Sequence, residues 1–94
     1  MTRYRILSWR GIPAQVKVTV EGSRTVSRPL PERFQHEIDR VAMREGLAGT
    51  DQYLEQWEWS PELERPGKPH EVLDAVLAEI EAEEPGSWKP GAQR

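Results

Sequence analysis

The sequence predicts an α+β fold, a two-layer sandwich in which an antiparallel sheet of three to four strands carries two to three helices on one face, in the order β-β-β-α-α-β-α. Three observations predict it. Apolar and polar residues alternate strictly over residues 14–21, the period of a half-buried strand. From Pro31 the apolar spacing changes to that of one helical stripe. Alternation then returns over residues 57–64, before a last helical stretch from Pro69.

Tyr4 to Trp9, rich in aromatic and branched residues, reads as the first strand. The corner "SWRGIPAQV" (Ser8 to Val16) follows, where Gly11 permits a bend, Pro13 fixes φ and Ile12 plugs the end of the core. In the second strand Ala14, Val16, Val18 and Val20 share the inner face, and Gln15, Lys17, Thr19 and Glu21 the outer. A Gly22–Ser23 turn leads to an edge strand, "TVSRPL", stopped by Pro29 and Pro31. With Pro31 at its first position, a helix places Phe34, Ile38, Val41 and Ala42 on one stripe. Gly46 suits its left-handed C-terminal position, and Leu47 folds back on Val41 or Ala42.

Thr50 caps a short helix bearing Tyr53, Leu54 and Trp57. Next, "WEWSPELE" sets Trp57, Trp59, Pro61 and Leu63 inward against an acidic outer edge of Glu58, Ser60, Glu62 and Glu64. The last helix starts near Pro69, buries Val72, Leu73, Val76, Leu77 and Ile80, and ends near Ala82. Residues 1–84 are expected to form one domain and residues 85–94 a loose C-terminal tail.

The 94 residues include no cysteine, which excludes disulfides, thiolate metal sites and cysteine nucleophiles. No apolar run is long enough to span a bilayer and "MTRYRILSWR" lacks the apolar core of a signal peptide, so a cytoplasmic location without membrane contact is expected. The net charge of −3 conceals polarity: residues 1–48 carry +4 and residues 49–94 carry −7. Such polarity either steers a charged partner or lets the two halves attract within one fold.

No nucleophile elbow, P-loop, dinucleotide fingerprint or zinc-binding H-E-x-x-H occurs, and no cofactor or metal site is expected. His36 falls on the outer side of its helix, a solvated position, and His70 in the first turn of the last helix. The loop "GLAG" (Gly46, Leu47, Ala48, Gly49) joins two helices as does the KH-type grip on single-stranded nucleic acid, although Glu45 and Asp51 flank it and a C-cap followed by an N-cap accounts for both glycines. Arg5 and Lys17 lie on strands whose outer face is basic, beside the Trp9–Arg10 corner.

The stretches "WRGIPAQV" and "LPERFQHEIDRVAMREGLAGTDQYLEQW" resemble the small bacterial virulence factor domain family, over about Tyr4 to Trp57. By that resemblance members stand alone or form the C-terminal module of conserved virulence factor C proteins, behind a NifU-N-like region and helical repeats. The family supplies no catalytic residues to carry over. The resemblance implies an accessory subunit with a protein partner, such as a one-carbon or corrinoid methyltransferase system.

Geometry accounts for Gly11, Ile12 and Pro13 in that signature, but not for Arg10 or Gln15. The expected function is therefore a non-enzymatic interaction module, binding a protein through Trp9, Arg10, Gln15, Lys17 and Arg5. An Arg10 without partners would support this, whereas one tied to Glu45 or Asp51 would be structural. The alternatives are single-stranded nucleic-acid binding through Gly46–Gly49, and a small enzyme or small-molecule binder with its site between sheet and helices.

Overall fold

The computed structural model describes residues 2–20 and 24–83; the expected Gly22–Ser23 turn and the expected tail, residues 85–94, lie outside the described residues. The elements are β1 (Thr2–Trp9), β2 (Ile12–Val20), β3 (Arg24–Pro29), α1 (Glu32–Arg44), α2 (Asp51–Glu55), β4 (Trp57–Trp59), β5 (Leu63–Arg65) and α3 (Pro69–Glu81). The sheet is antiparallel with spatial order β3-β2-β1-β4, and β5 also pairs with β1. α3 packs on β2 and β1, and α1 on β2. The α+β architecture matches the expectation from the sequence.

Alternation along the strands decides which side chains meet the helices. Tyr4 and Ile6 of β1 and Val16 and Val18 of β2 are buried with Phe34 of α1 and with Val72, Leu73, Val76, Leu77 and Ile80 of α3. Val26 and Leu63 pack at the borders of this cluster. A second cluster gathers Trp9, Ile12, Ile38, Val41 and Ala42, flanked by Ala14, Leu47, Tyr53 and Trp57.

The division follows from a register shift. Leu7 pairs with Gln15 but Ser8 pairs with Pro13, which makes Ala14 an extra residue in β2. Such a bulge raises the local twist and redirects the side chains beyond it. Unpaired with β1, Ala14 uses its carbonyl to accept the Leu30 N–H at 2.9 Å.

A second bulge splits the opposite edge. Leu7 pairs with Trp59, yet Tyr4 pairs with Leu63, so β4 and β5 are one strand interrupted by an extra residue. Ser60, expected on the acidic outer edge, is instead buried and bridges the break. It donates its N–H to the Ile6 carbonyl at 2.8 Å and accepts the Ile6 N–H on its hydroxyl at 2.9 Å. The single alternation expected over residues 57–64 is thereby corrected: Leu63 faces the helices, and Trp59 faces away from them beside Leu7.

The helix ends follow their capping residues. Pro31 sits at the N-cap of α1 with extended ψ of 155°, one position before its expected place. At the other end the Leu47 N–H reaches the Ala42 carbonyl at 2.8 Å and the Gly46 N–H the Met43 carbonyl at 3.2 Å, with Gly46 at φ +71°. This is the Schellman geometry expected from the sequence. The Thr50 hydroxyl accepts the Tyr53 N–H, and the Glu71 carboxylate accepts the Lys68 N–H at the start of α3.

Candidate functional site

With the helices on one side, the other face of the sheet is uncovered among the described residues. Its side chains fall in three cross-strand rows. Thr25, Thr19, Arg3 and Glu64 form one; Ser27, Lys17 and Arg5 the second; Pro29, Gln15, Leu7 and Trp59 the third. Leu7, Gln15 and Lys17 are half-buried on this face, Lys17 in contact with an aromatic ring from another strand.

The Lys17 ammonium crosses β1 to stand 4.3 Å from the centroid of the Trp59 ring, an attractive cation–π distance. Arg5 lies directly opposite Lys17 and remains exposed. Arg5 also lines a shallow open groove with Ser8, Glu58, Trp59, Ser60 and Pro61, of about 440 Å³. Arg3, in the neighbouring row, is held by Glu62 at 3.7 Å and Glu64 at 3.6 Å. Among the described residues neither Arg5 nor Lys17 has a carboxylate within ion-pair distance.

The expected corner divides differently. Trp9 is not exposed: it is fully buried, its indole N–H donates to the Tyr53 carbonyl at 2.8 Å, and its ring lies 5.3 Å from that of Tyr53. It belongs to the second cluster with Ile12, Ile38, Val41 and Ala42, so it offers no surface to a partner. Arg10 and Gly11 form the two-residue hairpin turn with φ of +49° and +85°, the positive pair of a type I′ turn. The Arg10 guanidinium pairs with Glu45 at the end of α1 and stands 5.9 Å from the Trp9 ring centroid. Arg10 is thus tied to Glu45, the arrangement that the sequence reading associates with a structural role. Gln15, Lys17 and Arg5 do share one face.

Sequence reasoning missed Trp59 and Leu7 as members of that face. The one signal was Ser60-Pro61, a pair that favours interruption of a strand.

In the Gly46–Gly49 loop, two of the four peptide N–H groups, those of Gly46 and Leu47, already bond to α1 carbonyls. Leu47 turns inward against the second cluster, and the Thr50 N–H and hydroxyl both bond to the Leu47 carbonyl. Capping therefore accounts for the loop geometry. His36 and His70 are exposed on separate helices. Among the described residues no group of three or more His, Asp or Glu has the arrangement to hold a metal ion. No helix of the described residues is long and apolar enough to cross a membrane.

Fold and face together define a small two-layer α+β domain with one open, cationic and aromatic sheet surface. A family model described as "Virulence factor" matches residues 7–87, most of the chain, and the chain belongs to that family. The match runs past Trp57, where the resemblance noted from the sequence ended, and takes in β4, β5 and α3. No curated protein and no solved structure matches the chain significantly.

Proposed function

We propose that this chain is a non-enzymatic protein-interaction module whose docking surface is the open sheet face, centred on Lys17, Trp59, Arg5, Leu7 and Gln15. The observation that carries the reading is the Lys17–Trp59 contact. It sets a cation and an aromatic ring side by side on a face that no other layer covers among the described residues. Aromatic and arginine side chains are the groups most enriched where proteins bind one another. The reading keeps Arg5, Gln15 and Lys17 from the sequence-based set, replaces Trp9 by Trp59 and moves the contact away from the Arg10 turn.

Site-specific photo-crosslinking in the native cell tests it. A photoreactive residue at Thr19 or Ser27, exposed on the open face, is expected to give a discrete protein adduct. The same residue at His36 or Ala75, exposed on the helical layer, is expected to give none. Adducts from the helical positions alone, or from neither set, would overturn the assignment.

A further inference from the structure

The geometry points to an acidic, extended segment of a partner protein as the occupant of the open face, with a carboxylate seated between Arg5 and Lys17 beside the Trp59 ring. This inference rests on the docking reading above and names what docks. Its first support is an unfavourable pairing. Arg5 and Lys17 are direct cross-strand neighbours, and like charges in that position oppose folding. One row away the chain supplies two carboxylates to Arg3. Among the described residues it supplies none to Arg5 or Lys17. A carboxylate from outside would relieve the repulsion and gain charge-assisted hydrogen bonds from both cations.

The second support is convergence on one ring. Lys17 reaches over β1 to Trp59, and Arg5 lines the same groove as Trp59. Leu7 is the cross-strand partner of Trp59, so an apolar floor adjoins the two cations. An extended segment alternating acidic and apolar side chains matches that layout.

The third support concerns what the face would reject. Glu58 lines the groove, and Glu62 and Glu64 stand beside Arg3. A nucleic-acid backbone brings a run of phosphates and gains from many cations; here it would meet three carboxylates at the border. One or two carboxylates on a peptide fit between them.

The test is an NMR titration of the isotopically labelled chain with three blocked peptides of equal length, alternating Leu with Glu, with Gln or with Lys. The Glu peptide is expected to shift the signals of Leu7, Lys17 and the Trp59 indole, and to bind about tenfold or more tightly than the Gln peptide. Arg5→Gln and Lys17→Gln should each weaken it about fivefold, the size of one partly exposed ion pair, while Arg3→Gln changes it less than about twofold. Lys17→Glu should abolish binding without lowering the thermal midpoint, because it places opposite charges across the strands. That variant separates lost contact from lost folding.

Equal binding of the Glu and Gln peptides at the same residues would overturn the acidic occupant and leave the docking face standing. Concentration-dependent shifts of Leu7 and Trp59 with no peptide added would do the same and make a second copy the occupant, whereas a preference for single-stranded DNA over the Glu peptide would overturn the protein-docking reading as well. No shift from any peptide, with crosslinks still arising at Thr19 and Ser27, would sink only the acidic occupant. Loss of those crosslinks would sink the docking reading itself.

Discussion

The hydroxyl of Ser60 accepts the peptide N–H of Ile6 at 2.9 Å, standing in for the backbone carbonyl that the bulge removes from the ladder. A buried N–H left without an acceptor costs about 1–3 kcal/mol. Ser60→Ala is therefore expected to lower stability by about that amount, read as a fall in the urea midpoint with the slope unchanged. A loss below about 0.5 kcal/mol would mean that another acceptor reaches Ile6, and the bridging role of Ser60 would fall.

Arg10 occupies a turn position that favours Asn, Asp or Gly. A left-handed backbone costs other residues about 1–2 kcal/mol, and an exposed ion pair such as Arg10–Glu45 returns about 1 kcal/mol at most. Arg10→Asn should accordingly leave the thermal midpoint unchanged or raise it. A clear drop would show that the Glu45 pair and the Trp9 contact outweigh the backbone cost.

The two indoles on either side of β1 should respond oppositely. Trp9 is fully buried, so Trp9→Ala should cost about 3–5 kcal/mol in equilibrium unfolding. Trp59 is 37% exposed, and Trp59→Ala should cost far less while removing the centre of the open face. Comparable losses for the two would contradict the placement of Trp59 on the outside.

Burial raises the Tyr4 phenol above its ordinary value; nearby Arg65 pulls it down and Glu79 pushes it up. The folded state therefore holds that proton more tightly than the unfolded chain does. Its contribution to stability is complete below the ordinary tyrosine value of about 10 and is lost as pH rises through the higher folded value. Denaturation at stepped alkaline pH should show a flatter decline for Tyr4→Phe than for the parent chain. Parallel declines would assign alkaline sensitivity to other groups.

Much of the fold was legible because hydrophobic period survives in regular elements. Phe34, Ile38, Val41 and Ala42 repeat at helical spacing and are buried along α1 as that spacing requires. Val16 and Val18 alternate and are buried. The Gly46–Leu47 cap was equally plain, since a left-handed glycine followed by an apolar residue has few other uses.

The site was less legible because two bulges decide it. One extra residue at Ala14 accompanies the burial of Trp9, and one at the Ser60–Pro61 break sets Trp59 and Leu63 on opposite faces. A bulge leaves composition untouched, so strict alternation through Trp57, Trp59, Pro61 and Leu63 assigned one face to residues that the structure divides. Contacts between distant residues, such as Arg10 with Glu45, depend on tertiary placement that local pattern does not encode.

The interrupted edge also bears on how copies could join. The strand formed by β4 and β5 presents three residues, a break containing a proline without an N–H, and three more, a border ill-suited to template another strand. Among the described residues, continuous ladder is offered only by β3, six residues long. A neighbour adding there as a copy of the same strand forms a two-fold closed pair, and the outer border of each member is again the broken one. Strand addition through β3 alone would thus close at two molecules instead of propagating into a fibre.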